Sequence, residues 1–102
     1  MSVFAVSRVR LDLAGNVTDV MWGVVDTKSN HWVSPEVEAP VAEVLDAIQK
    51  GDYVVALFPT AHGHMPERQF VSVEIGDGTK AISLDGPARP GREIQDMDRL
   101  QP

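Results

Sequence analysis

The chain of 102 residues reads as a small α+β domain: a five- or six-stranded antiparallel or mixed sheet with one amphipathic helix, at about 40–50, packed on one face. Three observations predict this. Several short runs alternate apolar and polar residues at period two, as half-buried strands do. One segment alone combines an apolar stripe at helical spacing with stop signals at both ends. Valine leads the apolar residues, and β-branched side chains favour sheet over helix.

From Val3 to Leu13 the odd positions carry Val3, Ala5, Ser7, Val9, Leu11 and Leu13, while the even ones include Arg8, Arg10 and Asp12. That alternation predicts the first strand. Ala14-Gly15-Asn16 turns the chain with residues that tolerate positive φ, and Val17 to Asp26 returns antiparallel. Val17, Val20, Met21, Trp22, Val24 and Val25 make this strand apolar on both faces. It is therefore a central strand, or one whose second face is covered by another subunit. Thr27 to His31 is a loop by composition, and Trp32 to Glu38 reads as a short irregular edge strand interrupted at Pro35, which has no N–H to donate.

Pro40 suits a first helical position, and Val41, Val44, Leu45 and Ile48 follow at helical spacing, with Glu43, Asp46, Gln49 and Lys50 turned outward. Gly51 ends this helix. Asp52 to Phe58 is nearly all apolar, as an interior strand buried on both faces would be, and Pro59 stops it. After a polar loop, Gln69 to Ile75 places Val71, Val73 and Ile75 on one face, and Gly76-Asp77-Gly78 turns it into Thr79 to Leu84, with Ile82 and Leu84 buried. Residues 85–92 are too rich in Pro and Gly for regular structure, and Glu93 to Leu100 forms a short C-terminal helical turn docked by Ile94, Met97 and Leu100. The whole of 1–102 reads as one domain.

The net charge of −6 is shared equally, each half standing at −3, and it weighs against nucleic acid and anionic membrane as partners. Without cysteine the chain has no disulfide framework, thiol nucleophile or thiolate ligand, which suits a reducing compartment. The start of the chain shows no signal-peptide pattern, and no run approaches the ~18 apolar residues of a membrane span. A cytoplasmic location is expected.

The chemistry-bearing residues converge on Thr60-Ala61-His62-Gly63-His64-Met65-Pro66-Glu67-Arg68, read as a polar connection that Pro59, Gly63 and Pro66 keep out of either strand. His62, His64 and Glu67 are the ligand types of a two-histidine, one-carboxylate site for a divalent transition metal. The same groups would serve acid–base chemistry, with Glu67 orienting one imidazole. No nucleophile elbow accompanies them. The His-x-His pair followed by Glu resembles part of the first cupin motif, but Glu67 stands one or two residues too close and the later histidine is missing. No family is carried over.

His31 beside Trp32 forms a second focus for a ligand or partner, and Arg68 extends the first. Folding of the 27–34 loop toward the 60–68 loop would add His31 as a third imidazole. Phe4, Arg8 and Arg10 on the outward face of the first strand imitate a single-strand-binding platform, against the acidic total. A cavity between helix and sheet would be lined by Trp22, Tyr53 and Phe70. The reading that follows is a binding or protein-interaction module without catalytic activity and without a cofactor, acting as a homodimer or on a protein partner, because the sheet offers more apolar surface than one helix hides. The alternative is a small metal-dependent or acid–base enzyme centred on His62, His64 and Glu67.

Overall fold

The computed structural model describes residues 2–26, 28–29, 31–61 and 63–100, with the backbone alone at His64 and Met65. The strands run β1 (Val3–Leu11), β2 (Val17–Asp26), β3 (His31–Trp32), β4 (Val37–Pro40), β5 (Tyr53–Thr60), β6 (Gly63–Glu74), β7 (Lys80–Leu84) and β8 (Asp98–Arg99). The helix α1 (Val41–Gln49) lies between β4 and β5, and a 3-10 turn, Ile94–Asp96, precedes β8. The fold is α+β with one helix, as expected. The sheet is mixed and larger than expected: eight strands among the described residues rather than five or six, in the order β3-β2-β1-β5-β6-β7, with β4 also on β2 and β8 also on β1.

The additional strands are short pieces beside longer ones. Segment 31–40 runs along the edge of β2 in two parts, Val25 facing Trp32 and Trp22 facing Val37. Between them the Val24 N–H donates to Ser34 Oγ at 2.9 Å, so the break around Pro35 is bridged by a side chain. The C-terminal segment supplies β8, which pairs parallel with β1 at Arg8 and Val9, beyond the reach of β5.

The helix forms where expected. Pro40 is its N-cap residue, and the carbonyls of its last turn are closed by a Schellman arrangement: Gly51 N–H to the Ile48 carbonyl at 3.1 Å and Asp52 N–H to the Ala47 carbonyl at 3.0 Å. Gly51 takes φ +96°, a conformation that favours glycine. Val44 and Ala47 are buried, and Val41, Leu45 and Ile48 pack beside them. Below them the sheet contributes Val6, Val9, Val20, Trp22, Val54, Ala56, Phe58 and Phe70, with Phe4 stacked on Trp22 at 4.4 Å between ring centroids.

Bulges decide which residues face this core. On β1, Val6 faces Trp22 and Arg8 faces Met21, so Ser7 is an extra residue and the alternation reverses there. Phe4 consequently lies with the core and Arg8 and Arg10 on the other face, which separates the three residues read as one platform. On β6, Pro66 faces Leu57 and Arg68 faces Ala56, leaving Glu67 as the bulge. Pro59 and Pro66 are both inside the β5–β6 ladder, contrary to the expected free loop. They fit because β1 pairs β5 only through Tyr53–Ala56 and β7 pairs β6 only through Phe70–Glu74, so each proline has an open side for the position that lacks an N–H.

Candidate binding surface

Cross-strand partners share a face, so the register sorts the sheet into an inner side under α1 and an outer side opposite it. The outer side carries Val3, Ala5 and Arg8 on β1, Met21, Gly23 and Val25 on β2, and Tyr53, Val55 and Leu57 on β5. Pro66, Gln69, Val71 and Val73 continue it along β6. No second helix lies over it among the described residues.

Toward β2 and β3 this face is hollowed into a groove of about 640 Å³. Val3, Ala5, Val25, Val55, Leu57 and Pro66 supply its apolar lining, and Trp32 stands at its β3 side. Trp32 is 43% exposed, and its ring lies against Gly23: a Cβ at that glycine would come within 3.0 Å of the indole. The missing side chain on β2 therefore seats the ring. Ser7, Arg8, Asp26, His31 and Glu36 supply the polar lining. The Ser7 hydroxyl donates to the Glu36 carboxylate, fixing the β4 end of the groove to the β1 bulge. Asp26 Oδ1 accepts the Lys28 N–H at 2.9 Å, and this bond is the largest cause that holds the Asp26 carboxyl below its ordinary pKa.

Arg10 on the same face is paired with Asp19 at 3.0 Å and with Glu38 at 3.2 Å. Those bonds, Glu38 first, raise its pKa and tie β4 across β2 to β1. At the other end of the face, Val73 and Ile75 are exposed, and β7 ends the sheet with one edge unpaired by any described strand. This edge differs from the opposite one. Segment 31–40 carries Pro35, Pro40 and a break, devices that discourage further strand pairing, whereas Lys80–Leu84 contains no proline.

The sequence-predicted residues divide among three places. His31 and Trp32 line the groove. His62 lies outside the described residues, and His64 is placed by its backbone, opposite Pro59 in the β5–β6 ladder. His31 stands four strand positions away from β6 in sheet order, so the described fold separates it from that hairpin by three intervening strands. Glu67, on the bulge, is approached by Arg89 at 3.7 Å and Arg92 at 3.8 Å. Among the described residues no three His, Asp or Glu side chains gather as a metal-binding group.

Arg68 turns inward. Its side chain is 4% exposed, and its guanidinium donates to the Arg92 carbonyl (3.0 Å), the Glu93 carboxylate (2.8 Å) and the carbonyls of Asp85 (2.8 Å) and Gly86 (3.1 Å). Glu93 also accepts the Arg89 N–H and joins Asp96 in a capping box around the 3-10 turn. Arg68 is thus the anchor that holds the Pro/Gly-rich segment 85–93 on the sheet. The Arg92 guanidinium meanwhile lies 5.7 Å from the centroid of the Phe58 ring.

Trp22 and Phe70 are spent in the core, and Tyr53 lies on the outer side, so these three residues do not share a cavity under the helix. The groove residues that sequence reasoning did not single out for a site are chiefly Val3, Ser7, Val25, Glu36, Val55 and Leu57. The signal for them was the two-faced apolar character of the second strand and of 52–58, which demanded a cover on both sides of the sheet. The chain matches no family model, and neither a curated protein nor a solved structure shows significant similarity to it.

Proposed function

We propose that this chain is a non-enzymatic binding module that works through the outer side of its sheet and forms a homodimer along its β7 edge. The observation that carries this reading is a broad apolar sheet face, opposite α1, over which the described residues place no second layer. Association through the β7 edge and its neighbours Val73 and Ile75 would extend the sheet across a two-fold axis and leave the groove open.

The metal-dependent or acid–base alternative has weaker support. Glu67 has Arg89 at 3.7 Å and Arg92 at 3.8 Å, two guanidinium groups that compete with a metal ion for its carboxylate oxygens. Light scattering on the wild type at micromolar concentration is expected to give twice the chain mass, and Val73→Glu with Ile75→Lys is expected to give the monomer without loss of fold. A wild-type monomer overturns the homodimer.

A further inference from the structure

We propose that the groove binds a small cationic amphiphile, with its apolar body on Val3, Val25, Val55 and Leu57 and its ammonium head over Trp32 between Asp26 and Glu36. The inference rests on the outer side of the sheet being the working surface. The volume of about 640 Å³ falls within the ~300–1,000 Å³ of small-molecule sites, and an apolar floor with a few convergent polar groups is their usual lining. An apolar ligand body is therefore expected.

The head group follows from charge. Along the β2 edge, Asp26 faces His31 and Val25 faces Trp32, and Glu36 precedes the point where Val37 faces Trp22. Glu36 thus lies beyond Trp32 toward β4, and Asp26, one residue past Val25, meets the groove at the end of β2. Its indole is exposed on the groove side and held by contact with Gly23, which leaves a rigid aromatic surface of the kind that attracts ammonium groups. Asp26 stays ionised well into acid, since the Lys28 N–H favours its charged form.

Among the described residues of the lining, Arg8 is the arginine, and His31 lies opposite Asp26. Arg8 faces Met21, five residues along β2 from Asp26, which corresponds to about 17 Å at ~3.4 Å per residue. That exceeds the ~8 Å screening length at physiological salt, so Arg8 sits at the Glu36 end, next to Ser7 that holds this carboxylate, and leaves Asp26 as the uncompensated charge of the groove. An anionic amphiphile would meet Asp26, Glu36 and a chain of net charge −6. The chemistry favours the amine.

Three probes with one tail and different heads test this: octylammonium, octanol and octanoate, titrated below micelle formation into the intact chain and followed by two-dimensional NMR. Octylammonium is expected to shift Val25, Trp32, Val55 and Leu57 and to bind at least tenfold tighter than octanoate. The double variant Asp26→Asn, Glu36→Gln is expected to lose that preference while keeping octanol binding, and Leu57→Glu, with a circular dichroism check of fold, to weaken octanol. Equal affinity for the three probes, shifts mapped elsewhere, or no saturable binding overturns the proposal. A dimer whose groove takes none of them leaves the association reading standing, and a monomer that binds octylammonium does the reverse.

Discussion

The inner and outer sides of this sheet are built from similar residues and treated in opposite ways. Inside, Val6, Val54 and Phe58 are fully buried under α1 and the C-terminal segment. Outside, Val55 and Leu57 alternate with them on the same strand and are only partly buried, as lining of the groove. Apolar surface left in water forgoes roughly 25 cal/mol per Å² of transfer free energy, so the outer side contributes far less to folding than its composition would allow. The contrast teaches that stability and binding are assigned to different faces of one set of strands.

The contrast breaks most visibly under truncation. Phe58→Ala on the inner side is expected to cost about 3–5 kcal/mol in urea unfolding. Ile75→Ser on the outer side is expected to stay within about 0.5 kcal/mol, measured at a concentration where the chain is monomeric. Similar costs at both sites would mean that the outer side is packed in the monomer.

Arg68→Met comes next, because it removes a buried guanidinium from Glu93 and from three carbonyls. A loss of about 2–4 kcal/mol is expected, together with faster hydrogen exchange in 85–96, where the segment loses its anchor. Exchange unchanged in that segment would show that Arg68 is not what holds it.

Gly23→Val sharpens the outer side alone. Its Cβ would meet Trp32 at 3.0 Å and the Ser34 carbonyl oxygen at 3.2 Å, so the indole must move. A cost of about 1–2 kcal/mol and a red shift of Trp32 emission, read with Trp22 held in the core, are the expected outcomes. Emission identical to the wild type would place the ring elsewhere.

The smallest effect is titration of Asp26, which is exposed. Its folded pKa lies below the ordinary value of 3.8, so its contribution to stability is full above that value and is lost as pH falls through the folded pKa. Asp26→Asn is expected to lose that small contribution at neutral pH and to flatten the acid limb of the stability curve, so that the two curves converge below pH 4. A steeper acid limb in the variant would contradict the Lys28 bond as its cause.

Much of the inner side was legible in the sequence. The helix announced itself through Pro40, its stripe and Gly51, and the two hairpins through Gly15-Asn16 and Gly76-Asp77-Gly78, because caps and turns are written in local residues. The bulges were not legible. A period-two reading assumes that no residue is inserted, so the extra Ser7 moved Phe4 to the core and Arg8 to the outer side, and Glu67 as a bulge let Pro66 and Gln69 share a face. Val71, Val73 and Ile75 shared one face as read, but Phe70, Ile82 and Leu84 took the other, buried one.

For the candidate site, His31 and Trp32 were legible as an aromatic and titratable pair. The groove floor was not, since it is assembled from β1, β2, β5 and β6, and only the register brings those residues together. Arg68 was legible as a charge near the histidines, while its inward turn depended on where 85–93 folds back.

Methyl NMR across a dilution series tests the division between the faces most directly. If the outer side associates, the methyl signals of Val73 and Ile75 shift as the dimer dissociates, while those of Val6, Val44 and Val54 hold their positions. Outer methyl signals that do not move at any concentration, or inner ones that move equally, would contradict it.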